Sequence, residues 1–159
     1  MIFVTLGTQD KQFNRLSSYI SLLVSNKKIK EEVVIQAGCT KVSNKDIKVF
    51  KQLSYEEMLN YFKKCDIVIT HGGVGSITDA LLLEKKVIAV PRKKEYKEAV
   101  NNHQEEIIDA FVKEGFLLKA ETEEELEEKI NEIKKFKPKK YISNTDNFIK
   151  KLESYMDKF

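Results

Sequence analysis

Residues 68–80 read VITHGGVGSITDA, an apolar run ending at His71, then Gly72, Gly73 and Gly75, with Ser76 and Asp79 behind them. Glycines at such a point let the backbone approach a ligand with no Cβ in the way. The spacing predicts a helix over 76–85, whose free N–H groups and positive dipole end would face the same spot, an anion site matched to phosphate or diphosphate. Ser76 can cap that helix or donate to a phosphate oxygen. Asp79, one turn further on, can accept two hydrogen bonds from a ribose diol. The same glycine turn with a serine cap also occurs at strand–helix junctions that bind nothing. A second polar cluster, Asn101-Asn102-His103-Gln104, contains the only other histidine of the chain. Its side chains offer neutral donors and acceptors suited to sugar hydroxyls, although Asn101 or Asn102 would also serve simply as a helix N-cap.

These residues need elements that bring them together. Short apolar, β-branched runs predict strands at 2–7, 32–38, 47–50, 66–70, 86–91 and 116–120. Helical spacing predicts helices from Asp10 to Asn26, from Ser54 with Glu57 in capping-box register, over 101–115, and from Thr122 to Phe136. Alternating strands and helices, with several strands apolar throughout, give a Rossmann-like three-layer α/β sandwich around a mostly parallel sheet. Ligands of such sheets lie beyond the carboxyl ends of the strands. That edge carries Gly7-Thr8-Gln9, Gln52-Leu53, His71-Gly72-Gly73, Arg92 and the start of the 101–115 helix.

The 159 residues suit one domain, residues 1–136, followed by a distinct tail at 137–159. A composition of 42% hydrophobic and 33% charged residues fits a globular chain, and a net charge of +3 makes no case for nucleic-acid binding. MIFVTLGTQD lacks a basic n-region and a cleavage site, so no signal peptide is expected. Cys39 and Cys65 lack metal-ligand spacing and are expected to be buried free thiols. From 134 to 159 eight lysines face three acids, and Phe148, Ile149, Leu152, Tyr155 and Phe159 recur at helical spacing. This predicts an amphipathic helix that packs back on the domain or docks on a partner or an anionic membrane surface.

In combination, HGGVGSITD, Pro91, NNHQ and the opening IFVTLGTQ resemble the C-terminal, donor-binding domain of family 28 glycosyltransferases, which have the GT-B fold. The likeness covers roughly residues 2 to 120. It is marked for stand-alone subunits of two-part transferases, among them the dolichol-pathway N-acetylglucosaminyltransferase catalytic subunit and bacterial exopolysaccharide and capsule subunits. The resemblance implies that His71 and the amides around Gly72, Gly73, Gly75 and Ser76 hold the diphosphate of a UDP-sugar. Asp79 would take the ribose hydroxyls, where many relatives have Glu. Gln104 with Asn102 or His103 would face the sugar, Gly7 and Thr8 would line the phosphate side, and backbone near Gln52 and Leu53 would read the uracil.

No aspartate has another two residues away, so the Asp-x-Asp metal site of many transferases is missing. The helix dipole and amides at 72–76 would stabilise the leaving group instead, which predicts metal-independent, inverting transfer with no cofactor. One domain is half of a GT-B enzyme. The resemblance therefore implies a membrane-associated partner subunit that binds a lipid-linked saccharide acceptor, and a place in the cytoplasm at the inner face of the membrane. The position of the general base stays open. Two rival readings are a nucleotide-sugar-binding subunit without turnover and an NADP-dependent oxidoreductase, the latter from GVG at 73–75 and the basic residues Arg92, Lys93 and Lys94.

Overall fold

The structure, a computed structural model, describes residues 1–143, 147, 150, 151, 153 and 154. Among the described residues six strands form one sheet: β1 (Ile2–Thr5), β2 (Val33–Gln36), β3 (Ile47–Phe50), β4 (Ile67–Thr70), β5 (Lys86–Ala89) and β6 (Leu118–Lys119). Every pairing is parallel and the order is β3-β2-β1-β4-β5-β6. Chain order runs outward in opposite directions from the β1–β4 seam, so the topological switch point lies there. The loops at the carboxyl ends of β1 and β4 carry Gly7-Thr8 and His71-Gly72-Gly73.

Helices α1 (Asn14–Ser25), α2 (Tyr55–Lys64), α3 (Val74–Leu82), α4 (His103–Lys113) and α5 (Glu123–Glu132) cover the two faces. Strand alternation divides the core in two. Ile2, Val4, Ile35, Ile69 and Ile88 pack on Leu16, Ile20 and Leu23 of α1 and Leu126 and Ile130 of α5. Phe3, Val34, Val68 and Val87 pack on Phe62 of α2, Ile77 and Leu81 of α3, and Ile108 and Phe111 of α4. The four inner strands are therefore apolar on both faces, the pattern of a parallel sheet covered by helices.

Helix starts follow local chemistry. Ser54 and Glu57 form a capping box: Glu57 N–H donates to Ser54 Oγ at 3.2 Å and Ser54 N–H to Glu57 Oε2 at 2.8 Å. Thr122 Oγ1 accepts from Glu125 N–H at 3.1 Å at the start of α5. α3, however, begins at Val74 with Gly73 as its N-cap and no capping side chain. Ser76 therefore sits inside the first turn and is not the cap. α1 starts at Asn14, four residues after the expected Asp10, because residues 8–12 are taken up by the loop beyond β1. Of the expected strand at 116–120, only Leu118 and Lys119 pair with β5. Cys65 is buried, but Cys39 is exposed: it lies on the turn after β2, beyond the core.

Past α5 the chain crosses from one face to the other. Lys139 N–H donates to Gly115 O at 3.0 Å, and Tyr141 packs edge-on against Phe116 with ring centroids 5.3 Å apart. The expected docking helix rests on Phe148, Ile149, Leu152, Tyr155 and Phe159, which lie outside the described residues.

Candidate functional site

β4 delivers His71 to the carboxyl edge, where its backbone N–H donates to Thr5 O of β1 at 3.3 Å. His71 is 8% exposed, and its ring lies between two glycines. A Cβ on Gly73 would stand 2.3 Å from His71 Cε1, and one on Gly7 2.8 Å from Nε2. Gly7 also has a φ of +84°, which favours glycine independently. Gly72 yields to a different neighbour: its Cβ would meet Gln104 Cβ at 2.6 Å and Gln104 O at 2.9 Å, so this glycine lets α4 close on the loop. Gly75 has nothing within 4 Å of its Cβ position, so its missing side chain leaves open space.

That space belongs to a cleft of about 320 Å³ lined by Thr5, Gly7, Thr8, Gln36, Leu53, Met58, His71, Gly73, Gly75 and Ser76, among others. The first-turn amides of α3 have no intrahelical acceptor, and they open at this cleft with the positive end of the helix dipole. An adjoining cleft of about 240 Å³ shares Thr8, Gln9 and Gln36 and adds Lys51 and Gln52. A larger cavity of about 610 Å³ lies at the opposite, amino edge, around Met1, Asp66 and Lys86. Its acids and Lys134 are ion-paired, including Asp66 with the terminal amine at 2.7 Å and Lys134 with Glu31 at 3.0 Å, and its Lys85 and Lys86 donate to backbone carbonyls. The carboxyl-edge cleft is the better candidate, because it alone combines the switch point, free helix amides and a buried imidazole.

Gln104 is the hub beneath the loop. Its Oε1 accepts from Gly72 N–H at 2.9 Å and from Arg92 N–H at 3.1 Å, while Nε2 faces His71 Nδ1 at 3.3 Å. Burial, reinforced by the nearby Arg92 charge, pushes the His71 pKa down to about 4, so the ring is neutral at pH 7. Arg92 is itself buried, its Nη1 donating to Lys11 O at 2.7 Å and Glu98 O at 2.9 Å and its Nη2 to Leu6 O. The guanidinium thus ties the loop after β5 to the loop after β1. Glu98, also buried, clasps Arg15 through two contacts of 3.0 Å. This ion pair pins the 93–98 stretch above α1.

Asp79 accepts from the Tyr55 hydroxyl at 3.2 Å, a bridge between α3 and α2, and neither residue is among those lining the cleft. Asn102 is spent on its own loop, accepting from Lys94 N–H at 2.8 Å and donating to Glu95 Oε1 at 3.2 Å. Asn101 Oδ1 accepts from His103 N–H at 3.1 Å. His103 Nδ1 lies 3.4 Å from Glu106 Oε2, with the ring partly exposed at the start of α4. The structure thus joins Gly7, Thr8, Leu53, His71, Gly73, Gly75 and Ser76 around one cleft and puts Gln52 in the next. Gly72 and Gln104 lie beneath the cleft. Tyr55, Met58, Thr5 and Gln36 were not anticipated; Tyr55 had one visible signal, its place directly after the Ser54 cap at the same sheet edge. Among the described residues no group of three or more His, Cys, Asp or Glu could hold a metal ion.

The profile of the glycosyltransferase family 28 C-terminal domain matches residues 1–159. The chain belongs to this family. Over 125 residues it is 30% identical to the UDP-N-acetylglucosamine transferase subunit ALG13 of Debaryomyces hansenii, a match covering 69% of the chain and 57% of that relative. The chain thus spans a little over half the length of this family member. Among solved folds, the NMR structure of ALG13 superposes with a TM-score of 0.62 at 22% identity, covering 95% of this chain and 94% of that one. The UDP-GlcNAc 2-epimerase of Methanocaldococcus jannaschii, solved with UDP-GlcNAc and UDP, gives 0.61 at 16% identity, covering 97% of this chain and 45% of that one. These neighbours share the Rossmann-like fold of a GT-B domain. Here the glycine turn follows β4, whereas a dinucleotide fingerprint would follow β1.

Proposed function

We propose that this chain is the donor-binding half of a two-component glycosyltransferase that takes a UDP-sugar and transfers the sugar to a lipid-linked saccharide. The observation that carries the reading is the cleft at the switch point, where the free amides of α3, the Nε2 edge of neutral His71 and open space over Gly75 converge. A diphosphate fits those donors. The amides beyond Gly73 would hold its oxygens, and Asp79 would accept from the ribose diol one turn along α3. Leu53, Met58 and neighbouring Gln52 would border the uracil, and His103 at the start of α4 would face the sugar. The relative named as a transferase subunit supports the reaction class.

Bond breaking leaves charge on the departing diphosphate. Donors already fixed by the fold can stabilise that charge without reorganising, which is the basis for a metal-independent step. The acceptor hydroxyl would attack the anomeric carbon from the opposite face, inverting it. Its binding site and general base would lie on a partner subunit at the inner face of the membrane, in glycan, exopolysaccharide or capsule synthesis. Isothermal titration with UDP, UDP-sugars and NADPH tests donor choice, and a transfer assay with and without the co-purified partner tests turnover. UDP binding without product from the pair would leave only a nucleotide-sugar-binding role.

A further inference from the structure

Gln104 has a definite orientation, and a consequence follows for His71. Its Oε1 receives two backbone N–H groups, from Gly72 and Arg92, at 2.9 and 3.1 Å. Only an oxygen can accept both, so the amide cannot be reversed. The group facing His71 Nδ1 at 3.3 Å is therefore the NH₂ of Gln104, and Nδ1 must act as acceptor. A neutral ring that accepts at Nδ1 carries its proton on Nε2. The Cε1–Nε2 edge turns toward Gly7 and Gly73, both on the cleft wall, and Nε2 has no hydrogen-bond partner among the described residues.

We propose that Gln104 is a positioning residue that locks His71 in its Nε2–H tautomer, so that a neutral, directional donor points into the cleft at the diphosphate. The ligand part of this proposal rests on the donor-binding reading above; the tautomer part does not. Arg92 is the charged group near the ring, and its positive charge disfavours imidazolium. Three glycines and one amide thus serve a single outcome: Gly72 lets Gln104 approach, while Gly7 and Gly73 leave the ring room and an open edge. Gln104 itself need not touch the sugar.

With two histidines in the whole chain, ¹⁵N-detected imidazole correlation spectra assign both rings directly. In the ligand-free wild-type protein His71 should show protonated Nε2 and bare Nδ1 from pH 8 to pH 5. UDP should shift the His71 Nε2–H resonance. Gln104→Glu keeps shape and length, but a carboxylate cannot donate to Nδ1. Nδ1 must then hold the proton, so the neutral tautomer reverses, and the added negative charge raises the pKa of the ring. UDP affinity at pH 7.5 should fall about 10- to 100-fold, because a bare Nε2 faces the phosphates where a donor stood. As pH falls and the ring becomes doubly protonated, affinity should recover in Gln104→Glu; a merely structural defect would not reverse this way. A wild-type ring protonated at Nδ1, or averaging between tautomers, overturns the lock. So does a Gln104→Glu protein with the wild-type tautomer. If the wild-type spectra show the lock but UDP leaves His71 unmoved, the lock stands and the donor reading fails.

Discussion

Gly75→Ala separates ligand binding from folding, because the two should move in opposite directions. Gly75 is the second residue of α3, and its Cβ position has no atom within 4 Å. An alanine there meets no protein atom and removes unfolded-chain freedom, which should stabilise the domain by about 0.5–1 kcal/mol. In a domain of this size that raises the melting temperature by roughly 2–3 °C. The new methyl, however, points into the cleft where a diphosphate oxygen would meet the α3 amides. Losing a hydrogen bond to a charged oxygen costs about 1.5–3 kcal/mol, roughly a 10- to 150-fold loss of UDP affinity. Differential scanning fluorimetry and calorimetric titration with UDP measure both quantities on one sample. A variant that is more stable and still binds UDP as tightly as wild type would refute the placement of the diphosphate.

Other expectations concern neighbouring parts of the site and its frame. Gly73→Ala puts a Cβ 2.3 Å from a ring that Gln104 holds in place, so it should cost about 1–3 kcal/mol in denaturant titration and weaken UDP binding as well. Asp79→Ala should leave the melting temperature near wild type and reduce UDP affinity about tenfold, with less effect on 2′-deoxy-UDP, if its carboxylate takes the ribose diol. Arg15→Ala leaves Glu98, 3% exposed, without its ion-pair partner, and should destabilise by about 3 kcal/mol, a fall of roughly 10 °C. His71 has a folded pKa of about 4 against about 6.5 unfolded, so between those values the unfolded chain takes up a proton that the folded chain does not. Its contribution is complete above about pH 6.5 and is lost as pH falls toward 4, by about 3 kcal/mol in total. Urea titrations at pH 7 and pH 5 should therefore show a smaller pH-dependent loss in His71→Asn than in wild type.

The layers, the parallel sheet and the glycine turn were legible in the sequence because they rest on local signals. Apolar runs mark the strands, and Ser54 with Glu57 marks a helix start through groups only three residues apart. What failed locally was α3: Ser76 looks like a cap, but Gly73 takes the cap position because the helix must begin as soon as the chain leaves β4. Cys39 was misjudged for a similar reason, since an apolar residue type says little about a turn that lies beyond the sheet edge. The contacts that shape the site were out of reach. Arg92 meets Leu6 O across 86 residues, Gln104 meets His71 across 33, and Tyr55 meets Asp79 across 24. Polar residues at the carboxyl edge could be named from the sequence, but whether each faces a ligand or holds a loop depends on such long-range pairings. Asn102 and Gln104 have their side-chain amides engaged by the protein, while Gly75 and Ser76 stay open to the cleft.

Under the proposed function a UDP-sugar would bind at the carboxyl edge of the β1–β4 seam. Amide chemical-shift mapping with UDP-N-acetylglucosamine on the full chain tests it directly. The largest shifts are expected at Gly7, Thr8 and residues 72–79, with small ones around the amino-edge cavity of about 610 Å³ near Asp66 and Lys86. Saturable shifts centred on that opposite cavity, or none at 72–79 at millimolar ligand, would contradict it.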